Sequence, residues 1–181
     1  EPNGNSNSLE LIRQVVDMNN GIYQDQELQN ATETNFCIGV AGYPEKHIDA
    51  PNMDSDLNFL KRKVEAGAEF ITTQMFFDNQ KYFEYVDRCR SAGINVPIIP
   101  GIKPITKKGH LRNLPKIFNM DIPEPLASEL DKAKDDKVAR EIGIEWCIQQ
   151  CKELKAANVP ALHFYTMSFS SATKDVVSKI L

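Results

Sequence analysis

One helix-to-strand junction occurs three times in this sequence, and it restricts the possible folds more than any other feature. In each copy a helical pattern ends at small residues, and an apolar run rich in Ile, Val or Phe begins within a few positions. The copies are AGAEFI at 66–71, AGINVP at 92–97 and AANVPA at 156–161. Helices that alternate with strands at this pace are typical of β/α units with a parallel sheet.

Four short apolar runs are the predicted strands, and a helical pattern follows each of them. They are predicted from their β-branched and aromatic residues. Their ranges are 36–41, 70–77, 96–101 and 161–166. Gly42 is predicted to end the first strand. In the third strand, Pro97 and Pro100 are placed near the ends, where a missing N–H is tolerated.

Six helices follow from apolar periodicity and from capping residues. They are predicted at 9–19, from an N-cap at Asp54 to 66, from an N-cap at Asp78 to 92, at 111–118, at 138–157 and from an N-cap at Ser170 to 180. The polar stretch 22–34 is predicted to be a loop insertion. Pro123 and Pro125 are predicted to interrupt the chain between helices.

Four β/α units are half of the eight that a closed (β/α)₈ barrel needs. A doubly wound open sheet is the alternative. No G-x-G-x-x-G sequence follows the first strand, however, so the usual dinucleotide fingerprint of that fold is missing.

Composition sets the broad class of the protein. A chain of 181 residues with 41% hydrophobic and 25% charged residues is expected to form one sizeable core. The net charge of -4 and the lack of a Lys/Arg stripe disfavour nucleic-acid binding. No apolar run approaches membrane-spanning length, and no signal peptide is evident. The chain begins at Glu1 without a Met, so a fragment or a processed product is expected.

The four cysteines form no CxxC pair, and they are interpreted as reduced core thiols of a cytosolic protein. Cys147 and Cys151 are four residues apart on a predicted helix, which places two thiols on one face. No His or further Cys nearby completes a metal set, so no metal site is predicted.

Gln74 is the most unusual residue of the second strand, because it is a full amide at the carboxyl end of an apolar run. Parallel α/β proteins bind their ligands at the carboxyl ends of strands. An amide offers donors and an acceptor together, which suits the edge of a heteroaromatic ring. The alternative is a buried Gln that is satisfied by neighbouring backbone.

Several linked motifs resemble the methylenetetrahydrofolate reductase family in order and spacing. They are GYPEKH at 42–47, DLNFLKRKV at 56–64, AGA at 66–68, ITTQMFFD at 71–78, PIIPGI at 97–102 and LHFYT at 162–166. The similarity covers nearly the whole chain and leaves 22–34 poorly matched.

The resemblance implies a (β/α)₈ TIM-barrel fold that binds FAD, with residues 1–181 forming one partial domain. This domain would be the C-terminal half of the barrel, about its last four β/α units. The acid catalyst of the family and an aspartate beside the flavin fall in the other half, so no catalytic residue is expected here. The implied reaction is NAD(P)H-dependent reduction of 5,10-methylenetetrahydrofolate to 5-methyltetrahydrofolate, in cytoplasmic one-carbon metabolism and methionine biosynthesis.

Six positions match cofactor-contacting residues of the family: Tyr43, His47, Ala50, Asp56, Arg62 and Lys63. The residue types suit the task, because a carboxylate accepts ribose hydroxyls and cations meet a pyrophosphate. Asp56 and Lys63 are seven residues apart and so share one helix face. The alternatives are a turn aromatic with a solvated His, and an ordinary charged helix surface.

Gln74 matches the family residue that hydrogen-bonds the folate pterin ring, and Tyr165 matches an aromatic residue at the mouth of the active site. Ordinary barrel packing is the alternative for both. After Tyr165-Thr166 the family often carries Leu-Asn-Arg, whereas Met167-Ser168-Phe169 stands here.

The sequence leaves two alternative functions. A half barrel without its acid catalyst is expected to bind cofactor weakly or not at all, and to self-associate or pair with the missing N-terminal half through its open sheet edges. An aldolase-like chemistry would use Lys103 to form a Schiff base. Lys103 is predicted to lie exposed in a loop with Lys107 and Lys108, which disfavours that chemistry.

Overall fold

The computed structural model describes residues 4–181, which form seven helices around a four-stranded parallel sheet. The elements are α1 (Ser8–Asn19), β1 (Gly39–Gly42), α2 (Met53–Glu65), β2 (Phe70–Met75), α3 (Asn79–Ser91), β3 (Ile98–Ile102), α4 (His110–Phe118), α5 (Glu124–Lys132), α6 (Asp136–Ala156), β4 (His163–Phe164) and α7 (Ser171–Ile180). The strands lie side by side in chain order, β1-β2-β3-β4. The predicted α/β class, the parallel sheet and the four strands are confirmed.

The three repeated junctions have one backbone conformation. Each helix ends at an Ala C-cap, and the next residue has a positive φ: Gly67 at 123°, Gly93 at 83° and Asn158 at 55°. In each junction, the N–H of the residue after the positive-φ position donates to a carbonyl in the last turn of the helix. The Ala68 N–H, for example, donates to the Lys63 carbonyl at 3.1 Å. This is the Schellman motif, which needs a residue that tolerates the left-handed region.

The main core lies between one face of the sheet and the helices. Side chains of β2 and β3 pack there against α2, α3, α6 and α7, and the buried members include Ile71, Ile98, Leu60, Cys89, Leu154 and Val176. The opposite face is more open, because Gly39 and Ala41 of β1 are exposed and Phe70, Thr72 and Gln74 of β2 are half-buried. A second cluster fills the space between the carboxyl ends of the strands and helices α4, α5 and α6.

The two outer strands are shorter than predicted. β1 begins at Gly39, where pairing with Phe70 starts, and it includes Gly42 rather than ending before it. β4 has two residues, since only Gly101 and Ile102 of β3 pair with it. Strand length is therefore set by the available partner and not by the length of the apolar run.

Pro100 lies in the middle of β3, contrary to the prediction that it would stand near the strand end. The register between β2 and β3 shifts between Thr72 and Met75, beside this proline. Within the irregularity, the Gly101 N–H donates to the Thr73 hydroxyl at 2.9 Å instead of to a strand carbonyl. The missing N–H of proline therefore interrupts no regular ladder.

The helix starts also needed correction. Asn52, not Asp54, caps α2, and its side chain accepts from the Ser55 N–H at 2.8 Å. The cap at Asp78 is confirmed by its bond from the Gln80 N–H. Ser170 stands at the N-cap of α7 without making a side-chain cap bond. α6 begins earlier than predicted, after Asp135.

Helix α5 departs from the prediction that Pro123 and Pro125 interrupt the chain between helices. Pro123 occupies the N-cap and Pro125 lies in the first turn, where no intrahelical N–H is required.

Residues 22–34 contain no helix or strand. All four cysteines are free; three are buried as predicted, whereas Cys37 is exposed. Within the described residues, no helix is both long and apolar enough to cross a bilayer.

Candidate functional site

Five of the six residues predicted to contact a cofactor line a single groove. It has a volume of about 970 Å³ and lies between α1, β1 and α2. The five are Tyr43, His47, Ala50, Asp56 and Lys63. Three come from the loop that follows β1, and two come from one face of α2.

The loop after β1, residues 43–50, is held by bonds to its own backbone and to α2. The Tyr43 and His47 rings meet edge to face with centroids 4.5 Å apart. The Asp56 carboxylate accepts the His47 N–H at 2.8 Å. Lys46 has a φ of 77°, and its ammonium donates to the Ala50 carbonyl at 2.5 Å. Two aromatic rings are therefore fixed at the groove with one Asp56 oxygen already engaged.

Lys63 places a buried cation beside the groove. It is 7% exposed, and its ammonium donates to the Ala41 carbonyl at 3.3 Å. The ammonium also lies 5.2 Å from the centroid of the Phe59 ring. Within residues 4–181 no carboxylate lies within 4.0 Å of it. Burial lowers the pKa of Lys63, and the more distant Asp56 partly opposes that shift.

Tyr43 also lines the groove, and the pKa of its phenol is shifted. Burial raises its pKa, and the carboxylates of Asp56 and Asp49 add to the rise. The phenol therefore stays protonated and keeps an O–H donor for a ligand in the groove.

Arg62 is the predicted cofactor residue that does not line the groove. It is exposed, and its guanidinium carbon lies 5.7 Å from the centroid of the Phe59 ring. Consecutive helix residues point about 100° apart, so Arg62 and Lys63 cannot share a direction. Phe59, which does line the groove, was missed. The sequence contains a signal for Phe59: it lies three residues after Asp56 and four before Lys63, which places all three residues on one face of the helix.

Gln74, near the end of β2, and Tyr165, just after β4, lie close together across the end of β3, and neither lines the groove. The Gln74 amide oxygen accepts the Met75 N–H at 2.9 Å, so the backbone satisfies part of this side chain. Its amide nitrogen has no hydrogen-bond partner within the part of the chain described. The Tyr165 hydroxyl donates to the carbonyl of Thr73, the residue before Gln74, at 3.0 Å.

Gly101 makes this arrangement possible. A Cβ at position 101 would lie 2.2 Å from the Thr73 carbonyl oxygen and 2.7 Å from a carbon of the Tyr165 ring. Only glycine therefore lets β3 pass between β2 and the Tyr165 ring.

The prediction that Lys103 is exposed is wrong, since it is 7% exposed. It follows β3 directly, and its ammonium reaches the Tyr165 carbonyl at 3.4 Å. Burial lowers the pKa of Lys103, and the pKa of nearby His110 is lowered by burial and by Lys103 and Lys107. Beyond Tyr165, the residues Met167 and Ser168 both have positive φ.

Comparisons with known proteins agree on one family. A family model described as methylenetetrahydrofolate reductase matches residues 8–181. Methylenetetrahydrofolate reductase 1 of Schizosaccharomyces pombe is 41% identical over 146 residues, which are 80% of this chain and 24% of that protein. The NADH-named enzyme 1 of Arabidopsis thaliana is 38% identical, again over 80% of this chain and 26% of its own length. The 5,10-methylenetetrahydrofolate reductase of Escherichia coli is 41% identical over 74% of this chain and 45% of its own length.

The chain thus spans about a quarter of the eukaryotic relatives and under half of the bacterial one. A solved structure of a Clostridium thermocellum protein, described as binding two copies of 5-methyl-5,6,7,8-tetrahydrofolic acid, is similar with a TM-score of 0.56 and 17% identity. The similarity covers 78% of this chain and 51% of that protein, and it supports the fold alone.

Proposed function

The chain belongs to the methylenetetrahydrofolate reductase family, and from this premise we propose that it supplies the cofactor-facing and folate-facing C-terminal half of a (β/α)₈ barrel. The complete protein would reduce 5,10-methylenetetrahydrofolate to 5-methyltetrahydrofolate with NAD(P)H and FAD. The sequential order of four parallel strands supports this proposal, because neighbouring units of a barrel follow one another in the same way. The domain would comprise residues 1–181, about the last four of eight units.

The observation that carries the proposal is the set of residues in one groove. Tyr43, His47, Ala50, Asp56 and Lys63 come from two separate segments, yet they line the same cavity. The buried Lys63 ammonium, which has no carboxylate partner in residues 4–181, suits a phosphate group. Asp56 keeps one oxygen free of the His47 N–H for a sugar hydroxyl. This set of donors and acceptors fits a dinucleotide such as FAD.

FAD, when bound, supplies the ring that accepts a hydride from NAD(P)H and delivers it to the folate. The residues of this chain then bind and orient. Tyr43 and His47 offer aromatic faces, whereas Lys63 and Asp56 hold the phosphate and ribose portions. Gln74 would donate a hydrogen bond from its amide nitrogen to the edge of the pterin ring. Its amide oxygen would be available to the ring only after the hydrogen bond from the Met75 N–H is broken. Tyr165 would form part of the wall beside it. We assign Arg62 a peripheral contact at most, because it stands outside the groove.

A titration of the purified chain with FAD, followed by flavin fluorescence, tests the cofactor proposal. We expect saturable binding that is weakened about tenfold or more by Lys63→Met, which removes a charged contact, and by His47→Ala, which removes an aromatic face. Lys152→Met is the matched control, because Lys152 is an exposed helical lysine outside the groove. Equal binding by Lys63→Met, His47→Ala and the control contradicts the proposed cofactor surface.

The folate role needs a separate experiment. In a reductase assay of the complete protein, Gln74→Ala is expected to impair folate reduction while leaving flavin reduction by NAD(P)H largely intact. Unchanged folate turnover in Gln74→Ala contradicts the role given to Gln74.

A non-catalytic half barrel is the second candidate, and the sheet edges favour it. Within the described residues, β1 and β4 each pair with one strand, so each leaves one edge without a strand partner. Such edges bind other strands. Size-exclusion chromatography alongside the FAD titration separates the candidates, because self-association without flavin binding supports a purely structural half.

A further inference from the structure

Glu45 lies in the same loop as Tyr43 and His47 but does not line the groove. One of its carboxylate oxygens accepts from the Lys81 ammonium at 2.6 Å and from the Asp121 N–H at 2.8 Å. The Glu45 side chain is 11% exposed. Tyr43 and His47 of this loop therefore line the groove, whereas the Glu45 carboxylate of the same loop contacts α3.

Two further contacts join the loop to the segment between α4 and α5. Lys81, in the first turn of α3, also pairs with the Asp121 carboxylate at 2.6 Å. The Asn119 amide donates to the Lys46 carbonyl at 3.5 Å, and both Asn119 and Lys46 have positive φ. Residues 45–46 and 119–121 thus meet through side chains that are more than 70 positions apart in sequence.

The ion pair matters more than an ordinary surface pair because most of the Glu45 side chain is shielded from solvent. Within residues 4–181 the second Glu45 oxygen has no hydrogen-bond partner, and Lys81 is the cation paired with this mostly buried carboxylate. Burial raises the pKa of Glu45, and the bonds from Lys81 and the Asp121 N–H oppose the rise. Removing Lys81, whose side chain is 31% exposed, would leave the mostly buried Glu45 carboxylate without its cation, which is costly.

We propose that Glu45, Lys81 and Asp121 are positioning residues that hold loop 43–50 in the conformation in which Tyr43 and His47 face the groove. They act through the loop and touch no cofactor. The part of this inference that concerns affinity rests on the proposed function, since it takes FAD as the ligand of the groove. The part that concerns loop order stands on the contacts alone.

The test compares three variants of this chain. Lys81→Met removes the counter-charge and keeps an unbranched apolar stem, and Lys81→Arg restores the charge. Arg140→Met is the matched control, because Arg140 pairs with Asp175 at 2.6 Å with 33% of its side chain exposed, close to the 31% of Lys81. FAD affinity is measured by fluorescence, and amide hydrogen exchange is measured for 42–50 and 119–121.

We expect Lys81→Met to weaken FAD binding about tenfold, the factor that corresponds to one charged hydrogen bond. Amide exchange should become faster in 42–50 and 119–121 and stay unchanged in β2 and α6. Lys81→Arg should recover most of both effects, and Arg140→Met should show neither.

The outcomes separate the two proposals. Faster loop exchange with weaker FAD binding supports the positioning role, whereas unchanged binding by a folded Lys81→Met overturns it. If the wild-type chain binds no FAD, the proposed cofactor function fails by itself. Loop exchange then decides the positioning role: faster exchange in Lys81→Met supports it, and unchanged exchange overturns it.

Discussion

Replacement of Lys63 by Met is expected to stabilise the chain while damaging the groove. Lys63 is a 7% exposed cation that donates one long hydrogen bond, to the Ala41 carbonyl at 3.3 Å. Burying an ammonium costs several kcal/mol, and one charge-assisted bond returns about 1.5–3 kcal/mol. Met fills nearly the same space without a charge, and Ala41 is exposed, so water can replace the lost bond to its carbonyl.

The expected gain in the free energy of unfolding is therefore about 1–2 kcal/mol at neutral pH. For a chain of 181 residues this corresponds to a rise in Tm of roughly 3–6 °C. Urea unfolding followed by the fluorescence of Trp146, the single tryptophan, measures it. The control Lys152→Met is expected to stay within about 0.5 kcal/mol of wild type, because that lysine is exposed.

The pH dependence gives an independent check on the same reasoning. Because burial lowers the pKa of Lys63 below its usual 10.5, the unfolded chain binds more protons than the folded chain between the two values. Wild type should therefore gain stability as the pH rises through the lowered pKa toward 10.5, whereas Lys63→Met lacks this gain. The advantage of Lys63→Met should shrink over that range. A variant that is less stable than wild type at pH 7 refutes the reasoning, since the ammonium would then stabilise the fold.

Three smaller perturbations test single contacts. Asn52→Ala should lower the free energy of unfolding by about 1 kcal/mol in thermal or urea unfolding, whereas Asp54→Ala should not, because Asn52 makes the cap bond. Gly101→Ala should cost about 2–3 kcal/mol and lower the Tm, because its methyl group would meet the Thr73 carbonyl at 2.2 Å; unchanged stability contradicts this. Tyr165→Phe should cost about 1 kcal/mol in urea unfolding through the lost bond to the Thr73 carbonyl, and a neutral result means that water replaces it.

The local pattern of the sequence was sufficient to predict the architecture. The three junctions are predictable from their local sequence, because Gly67, Gly93 and Asn158 tolerate the left-handed conformation that ends a helix. Within residues 4–181, apolar periodicity predicts the four strands and six of the seven helices. These signals act between residues a few positions apart, so they are readable without a structure.

Features that depend on distant partners were decided by the tertiary structure. The short β4, the central position of Pro100 and the burial of Lys103 depend on which strand lies alongside. For the site, the resemblance supplied six candidate positions, and the fold brought five of them to one groove. The fold turned Arg62 outward and placed Phe59 beside Lys63. The bond between Glu45 and Lys81 spans 36 positions, and no periodic pattern encodes such a contact because burial depends on everything packed around it.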